Sequence, residues 1–197
     1  IPAMKQIAVV GLGRFGFSLI ESLAKYRVQV LAIDADMAKG KKAQGIVTQA
    51  VQLDARDETA LKAVGVDELD TVVVAIGSDI EASMLATMIL KDLGVPQVIS
   101  KAVTHLHGRF LEKIGADRII YPEMDTGRRL GLQLSRPNIV EQIDLGEDYG
   151  VFELNVPAAW IGHSIGDLDI RAKYELTIVA IKRRAENEKK GYRMDVS

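Results

Sequence analysis

The stretch Val9-Val10-Gly11-Leu12-Gly13-Arg14-Phe15-Gly16 decides the fold of this chain, because it joins a run of apolar residues to the start of a helical pattern. Its glycines have the GxGxxG spacing, in which each position has its own physical reason. Gly11 permits a tight turn, Gly13 lets a pyrophosphate approach the backbone, and Gly16 lets the helix pack close to the strand. The helix that follows presents free amides and about half a positive charge to an anion. The stretch therefore predicts a site for the phosphates of a nucleotide.

An acidic residue follows this turn at the distance expected of a ribose ligand. Asp34 ends the second apolar run, roughly 20 residues beyond the glycines, where a carboxylate accepts hydrogen bonds from a ribose diol. A carboxylate there repels a 2′-phosphate, so we expect adenosine nucleotides or NAD(H) rather than NADP(H). Asp36 is a second acid near the ribose position. The alternative is a tightly packed turn that holds no ligand.

Six short apolar runs recur along the first part of the chain. They are rich in Val and Ile, and several are continuously apolar, which is typical of strands covered on both faces in a parallel sheet. The stretches between them are long enough for the crossover helices that parallel pairing requires. The runs are residues 6–10, 28–33, 46–51, 71–76, 97–100 and 118–121. This alternation predicts an α/β fold with a doubly wound, Rossmann-like parallel sheet.

The crossover after the fourth run carries two helix signals. Apolar residues at helical spacing predict a buried stripe, which consists of Ile80, Met84, Leu85, Met88 and Ile89. The preceding Ser78 and the following Glu81 match a capping box, in which the two side chains satisfy free amides of the first turn. We therefore expect this helix to begin after Ser78.

The pattern changes after a last predicted helix over residues 123–135. We predict a nucleotide-binding domain over residues 1–137 and a small α+β C-terminal subdomain over residues 138–197, with the boundary near Pro137. Strands are expected at residues 139–145, 151–156, 177–181 and 192–196, with a short helical piece around residues 164–174. Residues 186–191 are expected to form a solvent-exposed hairpin tip. Because the final strand candidate runs into the chain end, we expect this subdomain to be incomplete.

Further candidates follow the ends of the predicted parallel strands, where ligands bind in open α/β folds. Arg14 lies inside the turn and could reach a phosphate; the alternative is an exposed arginine at a helix start. Asp54 follows the third run and Gly77 the fourth. Lys101 follows the fifth run, either as a second phosphate cation or as an ordinary surface lysine.

Composition excludes several classes of function. The chain has 197 residues, a net charge of −2 and no cysteine, so disulfides, thiolate zinc sites and a cysteine nucleophile are absent. The charge balance gives no reason to expect nucleic acid. His105 and His107 lack a nearby carboxylate or cysteine to complete a metal site. Neither a GxxxxGK[ST] loop nor a GxSxG elbow occurs. The sequence indicates a nucleotide-binding protein without an obvious reaction.

The glycine stretch resembles the opening of the RCK (KTN) domains of bacterial potassium-uptake regulators. So does Glu112-Lys113-Ile114-Gly115-Ala116-Asp117-Arg118-Ile119-Ile120-Tyr121-Pro122-Glu123. Residues after Pro137 resemble the C-terminal RCK subdomain, at positions 168–171 and 176–181. The likeness covers essentially the whole chain, and the two motifs together are far more specific than GxGxxG alone.

This resemblance implies a non-enzymatic regulatory subunit that gates a membrane potassium channel. Members of the family bind ATP or ADP, and also NAD(H), in the Rossmann cleft, with ATP favouring the active state. They assemble as homodimers within an octameric ring. The chain would then be cytoplasmic and peripheral to the inner face of the cell membrane, through its channel partner.

The resemblance also assigns residues. Asp54 and Ala55 would lie near the adenine, and Glu123 would help to bind Mg or Ca between neighbouring nucleotides, whereas from the residues alone Glu123 is a favourable first-turn acid. Some relatives bind cyclic di-AMP at the C-terminal subdomain, in the region of Ile165, Ile170 and Arg171. The full set for the nucleotide is Gly11, Gly13, Arg14, Phe15, Gly16, Asp34, Asp36, Asp54, Ala55, Ile76, Gly77 and Lys101.

Two alternatives share the same glycine turn. The first is an NAD-dependent oxidoreductase, which would need an acid or base beside the nicotinamide and a substrate pocket. The second is an NADH sensor that controls another partner, such as DNA, although no basic helix supports contact with DNA.

Overall fold

The computed structural model describes residues 4–26, 28–136, 138–146, 149–184 and 192–196. The chain forms two compact units, Ile1–Leu130 and Gly131–Ser197. The predicted boundary residue Pro137 and the predicted hairpin tip at residues 186–191 lie outside the described residues. The division of the chain at residue 137 therefore stays a prediction.

The first unit contains a six-stranded parallel sheet with the order β3-β2-β1-β4-β5-β6. Each of the six predicted runs overlaps one strand. The strands are β1 (Gln6–Val10), β2 (Gln29–Asp34), β3 (Gln49–Gln52), β4 (Thr71–Val74), β5 (Gln97–Lys101) and β6 (Arg118–Ile120). The central strand β1 is in register with both neighbours, so that Val10 pairs with Ile33 on β2 and with Val74 on β4. This arrangement confirms the predicted doubly wound α/β fold.

Helices connect the successive strands. They are α1 (Arg14–Leu23), α2 (Met37–Ala43), α3 (Glu58–Ala63), α4 (Ile80–Asp92) and α5 (His105–Lys113), and α6 (Pro122–Ser135) follows the last strand. A short 3-10 turn, Val66–Glu68, precedes β4.

The core lies on both faces of the sheet, which explains why the strands are continuously apolar. Side chains of a strand point alternately to opposite faces. Ala8 and Val10 accordingly belong to a buried cluster that includes Leu61 of α3, whereas Val9 belongs to a second cluster that includes Ile20 of α1. Burial of each such large side chain stabilises the fold by about 1.5–3 kcal/mol. Both faces of the sheet are therefore covered by apolar side chains.

The predicted buried stripe of α4 is partly wrong. Ile80 and Met88 are more than two-fifths exposed, while Ser83 and Thr87 are fully buried. The Thr87 hydroxyl donates to the Ser83 carbonyl at 2.8 Å and lies 2.9 Å from the Ser100 hydroxyl of β5. These hydrogen bonds allow the Thr87 hydroxyl to face the sheet, because a satisfied hydroxyl is not costly to bury. The Ser83 hydroxyl is also buried, but it has no hydrogen-bond partner among the described residues.

The predicted start of α4 is also wrong by one residue. The N-cap is Asp79, whose carboxylate accepts a hydrogen bond from the Ala82 amide at 2.9 Å. Either Ser78 or Asp79 has the residue type of an N-cap, and a capping-box pattern alone does not decide between them.

The second unit contains two antiparallel strand pairs and short helices. Strands β7 (Ile139–Gly146) and β8 (Tyr149–Leu154) pair with each other, as do β9 (Ala180–Arg184) and β10 (Tyr192–Val196). The predicted helical piece consists of α7 (Ile165–Leu168) and α8 (Ile170–Tyr174), and a 3-10 turn covers Ala158–Trp160. Strand β9 begins later than the predicted strand at residues 177–181. These elements agree with the predicted α+β character.

Among the described residues, no helix combines the length and the apolar character that crossing a membrane would require.

Candidate functional site

The candidate site lies where the strand order reverses, between β1 and β4. At such a point the carboxyl ends of neighbouring parallel strands border a crevice in which open α/β folds bind ligands. The glycine turn, residues 11–16, follows β1, and Ile76 with Gly77 follows β4. Asp34 ends β2 and Lys101 ends β5. The fold thus brings these predicted residues to one edge of the sheet.

Two of the three glycines in the turn are required by the structure of the protein itself. Gly11 has a φ of +93°, and a Cβ there would lie 2.9 Å from the backbone nitrogen of Ile76. A Cβ at Gly16 would collide with the carbonyl oxygen of Gly11. Gly13 is different, because its φ is −74° and a Cβ there would meet no described atom within 4 Å. Neither strain nor packing explains the glycine at this position, and space is open beside it.

The first turn of α1 has free backbone amides. Its N-cap is Gly13, which supplies no capping side chain, and no acidic residue lies in the first turn. The helices α2, α3, α4 and α5 each begin with a side chain that accepts a hydrogen bond from a first-turn amide, namely Asp36, Asp57, Asp79 and Thr104. An anion at the start of α1 would satisfy amides that a side chain satisfies elsewhere.

Asp34 lies beside the glycine turn and is held in place by the backbone. Its carboxylate is nearly buried and accepts hydrogen bonds from the amides of Leu12, at 2.6 Å, and Asp36, at 2.8 Å. Oδ1 retains acceptor capacity, as a ribose diol would need, whereas Oδ2 accepts from both Leu12 and Lys39. The Lys39 ammonium lies 3.5 Å from Asp34 Oδ2. Asp36 caps α2 through a bond from the Ala38 amide, so its carboxylate already has a structural role.

Asp54 and Ala55 follow β3 and have different surroundings. Asp54 is bound by the Arg56 guanidinium, with Nη2 2.6 Å from one carboxylate oxygen. Hydrogen bonds from the Arg56 side chain and backbone lower the pKa of Asp54. Ala55 is buried within one of the two core clusters. Asp54 is therefore an ionised, partly exposed acceptor, whereas Ala55, the next residue in the chain, serves in packing.

Lys101 is not a surface lysine. It is 8% exposed, and its ammonium donates a hydrogen bond to Glu123 Oε1 at 2.8 Å. A Cβ on Gly77 would lie 3.2 Å from the ammonium, which places the charge beside the loop after β4. The ammonium is also 5.8 Å from the centre of the Phe15 ring, at the start of α1. A cation is thus held between the two loops that border the crevice.

Glu123 is in the first turn of α6 and remains mostly exposed, with a side-chain exposure of 68%. The hydrogen bond from Lys101 lowers its pKa, and the positive charge of the exposed Arg14 lowers it further. In the described part of the chain, no three acidic or histidine side chains cluster as a metal site would require. Glu123 therefore offers a single carboxylate to a cation, and phosphate oxygens, water or another copy of the chain would have to supply the remaining ligands.

The other titratable candidates do not form a catalytic set. His107 is buried, its Nδ1 accepts a 3.4 Å bond from the Val103 amide, and burial lowers its pKa. The ring of His105 packs against Tyr121.

In the second unit, Ile170 is 3% exposed and lies in the core, whereas Ile165 is exposed.

Sequence reasoning missed Lys39, Arg56 and the contact between Lys101 and Glu123. Lys39 and Arg56 lie five and two residues beyond an acid that was singled out, and this nearness in sequence is the signal that could have found them. The separation of Lys101 and Glu123 in sequence gives no such signal, because their contact depends on the position of β5 relative to α6.

A doubly wound parallel sheet with a glycine-rich turn at its switch point defines the class of Rossmann-like domains. The chain belongs to the TrkA-N domain family, whose model matches residues 7–122. The Ktr system potassium uptake proteins C and A of Bacillus subtilis are each 42% identical to it over 182 residues, which span 92% of this chain and 82% of theirs. These matches confirm the predicted resemblance. The relatives are named as components of potassium uptake and not as enzymes, in agreement with the predicted absence of enzymatic activity.

Solved structures show the same fold. The GsuK RCK domain matches with a TM-score of 0.68 at 17% identity, covering 93% of this chain and 40% of that one. GsuK bound to ADP matches with a TM-score of 0.58 at 13% identity, over 86% of this chain and 52% of that one. The GsuK channel bound to NAD matches with a TM-score of 0.59 at 15% identity, over 67% and 24%.

Proposed function

We propose that this chain is a nucleotide-sensing regulatory subunit of a potassium uptake system. The observation that carries the proposal is the start of α1, where free amides, open space beside Gly13 and the nearby cations Arg14 and Lys101 together suit a polyphosphate. The potassium uptake function is inferred from the names of the Bacillus subtilis relatives.

In the proposed complex, each part of an adenosine nucleotide has a matching group. The phosphates lie against the amides of the glycine turn, with Arg14 and Lys101 as counter-charges. The ribose diol donates to Asp34, whose two oxygens are oriented by backbone amides. The adenine lies on the side of β3, toward Asp54, whose ionised carboxylate can accept a hydrogen bond from the exocyclic amine.

ATP and ADP are the proposed ligands, and NAD(H) is a second candidate because GsuK has been solved with NAD as well as with ADP. ATP and ADP differ by the γ-phosphate, so they shift a conformational equilibrium to different extents only if that group is bound better in one state. Homodimers within an octameric ring under a membrane channel would convert this difference into gating. In this proposal the subunit is cytoplasmic and peripheral to the membrane.

Two further ligands follow from the family resemblance alone. Mg or Ca between neighbouring nucleotides would use Glu123 together with phosphate oxygens. Cyclic di-AMP in the second unit would have to contact Ile165 or Arg171 rather than Ile170, since Ile170 is buried.

The test is a calorimetric titration of the full chain with ATP, ADP, NAD, NADH, NADP and adenosine, each with and without Mg. We expect the tightest binding for ATP and ADP. Arg14→Ala should weaken ATP about tenfold, because a charge-assisted hydrogen bond is removed, and should change adenosine by less than about twofold. Lys113→Ala, in the last turn of α5, is the control for loss of a positive charge.

Equal weakening of ATP and adenosine by Arg14→Ala would refute a phosphate contact. Binding of NAD or NADH with no measurable affinity for ATP or ADP would replace the proposal with the NADH sensor, and turnover of a hydroxy acid or amino acid with NAD would replace it with the oxidoreductase.

A further inference from the structure

We propose that Glu123 is an internal competitor for the phosphate site: in the free protein its carboxylate occupies the Lys101 ammonium that an incoming anion needs. The inference rests on the proposed function for the identity of the ligand, but it concerns this chain's own residues. It adds a specificity element to the crevice, because only anions able to displace a carboxylate gain the full interaction with Lys101.

The first observation is the burial of the cation. A buried ammonium needs a counter-charge, since an unpaired charge away from water is strongly unfavourable. Lys101 is 8% exposed, and the acceptor that the structure shows for its ammonium is Glu123, at 2.8 Å. The charge of Lys101 is therefore neutralised from within the chain before any ligand binds.

The second observation is the asymmetry of the pair. The Lys101 side chain is 10% exposed and the Glu123 side chain 68% exposed. Lys101 is fixed by its surroundings, whereas Glu123 can rotate into water with little loss of packing and regain its hydration. Exchange of the carboxylate for another anion is thus possible without unfolding α6, whose first turn carries Glu123.

The third observation is the charge around the carboxylate. The Glu123 carboxylate lies 2.8 Å from the Lys101 ammonium and is attracted to the crevice by this opposite charge. A phosphate that enters without a cation must either repel this charge at short range or displace it, and both reduce the affinity. Adenosine brings no negative charge, so Glu123 should not affect it.

The test compares wild type with Glu123→Gln, a nearly isosteric change, by calorimetry in EDTA. We expect ADP, and inorganic pyrophosphate as a probe without a nucleoside, to bind the variant roughly tenfold more tightly, because removal of a nearby like charge changes affinity on the scale of a charged hydrogen bond. Adenosine affinity should be unchanged. Asp125→Asn is the matched control, since it removes an exposed charge from the same turn of α6 and should leave all three affinities unchanged.

A double-mutant cycle separates competition for Lys101 from a general electrostatic effect. In a Lys101→Met background, Glu123→Gln should no longer improve binding of pyrophosphate, because the contested cation is gone. Thermal melting and circular dichroism of each variant confirm that it is folded before affinities are compared.

The outcomes are decisive. Two results would contradict competition between Glu123 and phosphate for Lys101. One is a pyrophosphate affinity that is unchanged or weaker in Glu123→Gln, and the other is a gain in affinity that persists in the Lys101→Met background. A chain whose pyrophosphate affinity rises as expected but which has no affinity for nucleotides retains the competitor and loses the proposed function.

Discussion

At the scale of single residues, the glycine turn separates structural from functional requirements. Gly11 and Gly16 are needed by the protein itself, because Cβ atoms there would press on Ile76 and on the Gly11 carbonyl. Gly13 has no such requirement, since its backbone is ordinary and space surrounds it. A side chain at Gly13 would occupy the space where phosphates are proposed to approach the amides of α1.

We therefore predict opposite outcomes for two similar substitutions. Gly16→Ala should lower the free energy of unfolding by about 1–3 kcal/mol, because a methyl group is forced against the backbone. Gly13→Ala should lower it by less than about 1 kcal/mol, the difference between Gly and Ala at an N-cap, yet weaken ADP at least tenfold. Urea unfolding and calorimetric titration measure both. Undiminished ADP binding by Gly13→Ala would contradict the assignment of the open space to phosphate.

At the scale of elements, helix caps position the loops around the crevice. Asp79 caps α4 and thereby fixes the end of the loop that includes Ile76 and Gly77. The capping role belongs to Asp79 because its carboxylate reaches the Ala82 amide.

Asp79→Ala should consequently destabilise the protein by about 1 kcal/mol, as loss of an N-cap does. Ser78→Ala should change the free energy of unfolding by less than about 0.5 kcal/mol, as is usual for a surface change away from such features. Urea unfolding measures both variants. A larger loss of unfolding free energy in Ser78→Ala than in Asp79→Ala would show that Ser78 is the N-cap, as the capping-box pattern predicts.

Asp117 lies just before β6, at the amino ends of the parallel strands, and joins α4 to β5. Its carboxylate accepts hydrogen bonds from the Val98 amide of β5, at 2.7 Å, and from the Lys91 ammonium of α4, at 2.9 Å. The backbone bond, followed by the bond from Lys91, lowers the pKa of Asp117 below its ordinary value of 3.8. A carboxylate whose pKa is lower in the folded than in the unfolded protein stabilises the fold at any pH above its unfolded-state pKa. This stabilisation is lost as the pH falls through its folded-state pKa.

Asp117→Asn should then reduce stability at pH 7 by about 1 kcal/mol, a value kept small because the partly exposed side chain is screened by water. The difference from wild type should shrink as the pH falls below 3.8. Urea unfolding between pH 7 and pH 3 measures it. Asp125→Asn, in an exposed pair with Arg128, is the control with little expected effect. A difference that is independent of pH would show that Asp117 acts through shape rather than charge.

At the scale of the whole molecule, the sequence was most informative about strands whose two faces are both buried. Val9 and Val10 face opposite clusters, so both must be apolar, and such runs predicted every strand of the parallel sheet. Helix α4 was harder, since it has apolar residues around most of its circumference while internal hydrogen bonds bury Thr87. Strand β9 begins at Ala180, later than hydrophobicity indicated.

Much of the candidate site was predictable from the sequence for the same reason. The turn follows β1, and Asp34 and Lys101 end β2 and β5. Parallel topology places the ends of these strands together without any knowledge of side-chain packing. The burial of Lys101 and its bond to Glu123 were not predictable, because they depend on tertiary packing between β5 and α6. Only the family resemblance pointed to Glu123 as a candidate ligand for a cation.

The uncapped first turn of α1 has a consequence for the lifetime of the protein in a cell. An adenosine nucleotide bound there as proposed would satisfy those amides only in the folded chain, and at a hundred times its dissociation constant it would add about 2.7 kcal/mol to the free energy of unfolding. Proteases that cut transiently opened chains would then degrade the chain more slowly while either nucleotide, ATP or ADP, is bound. The abundance of this protein, as well as its conformation, would follow the adenylate pool.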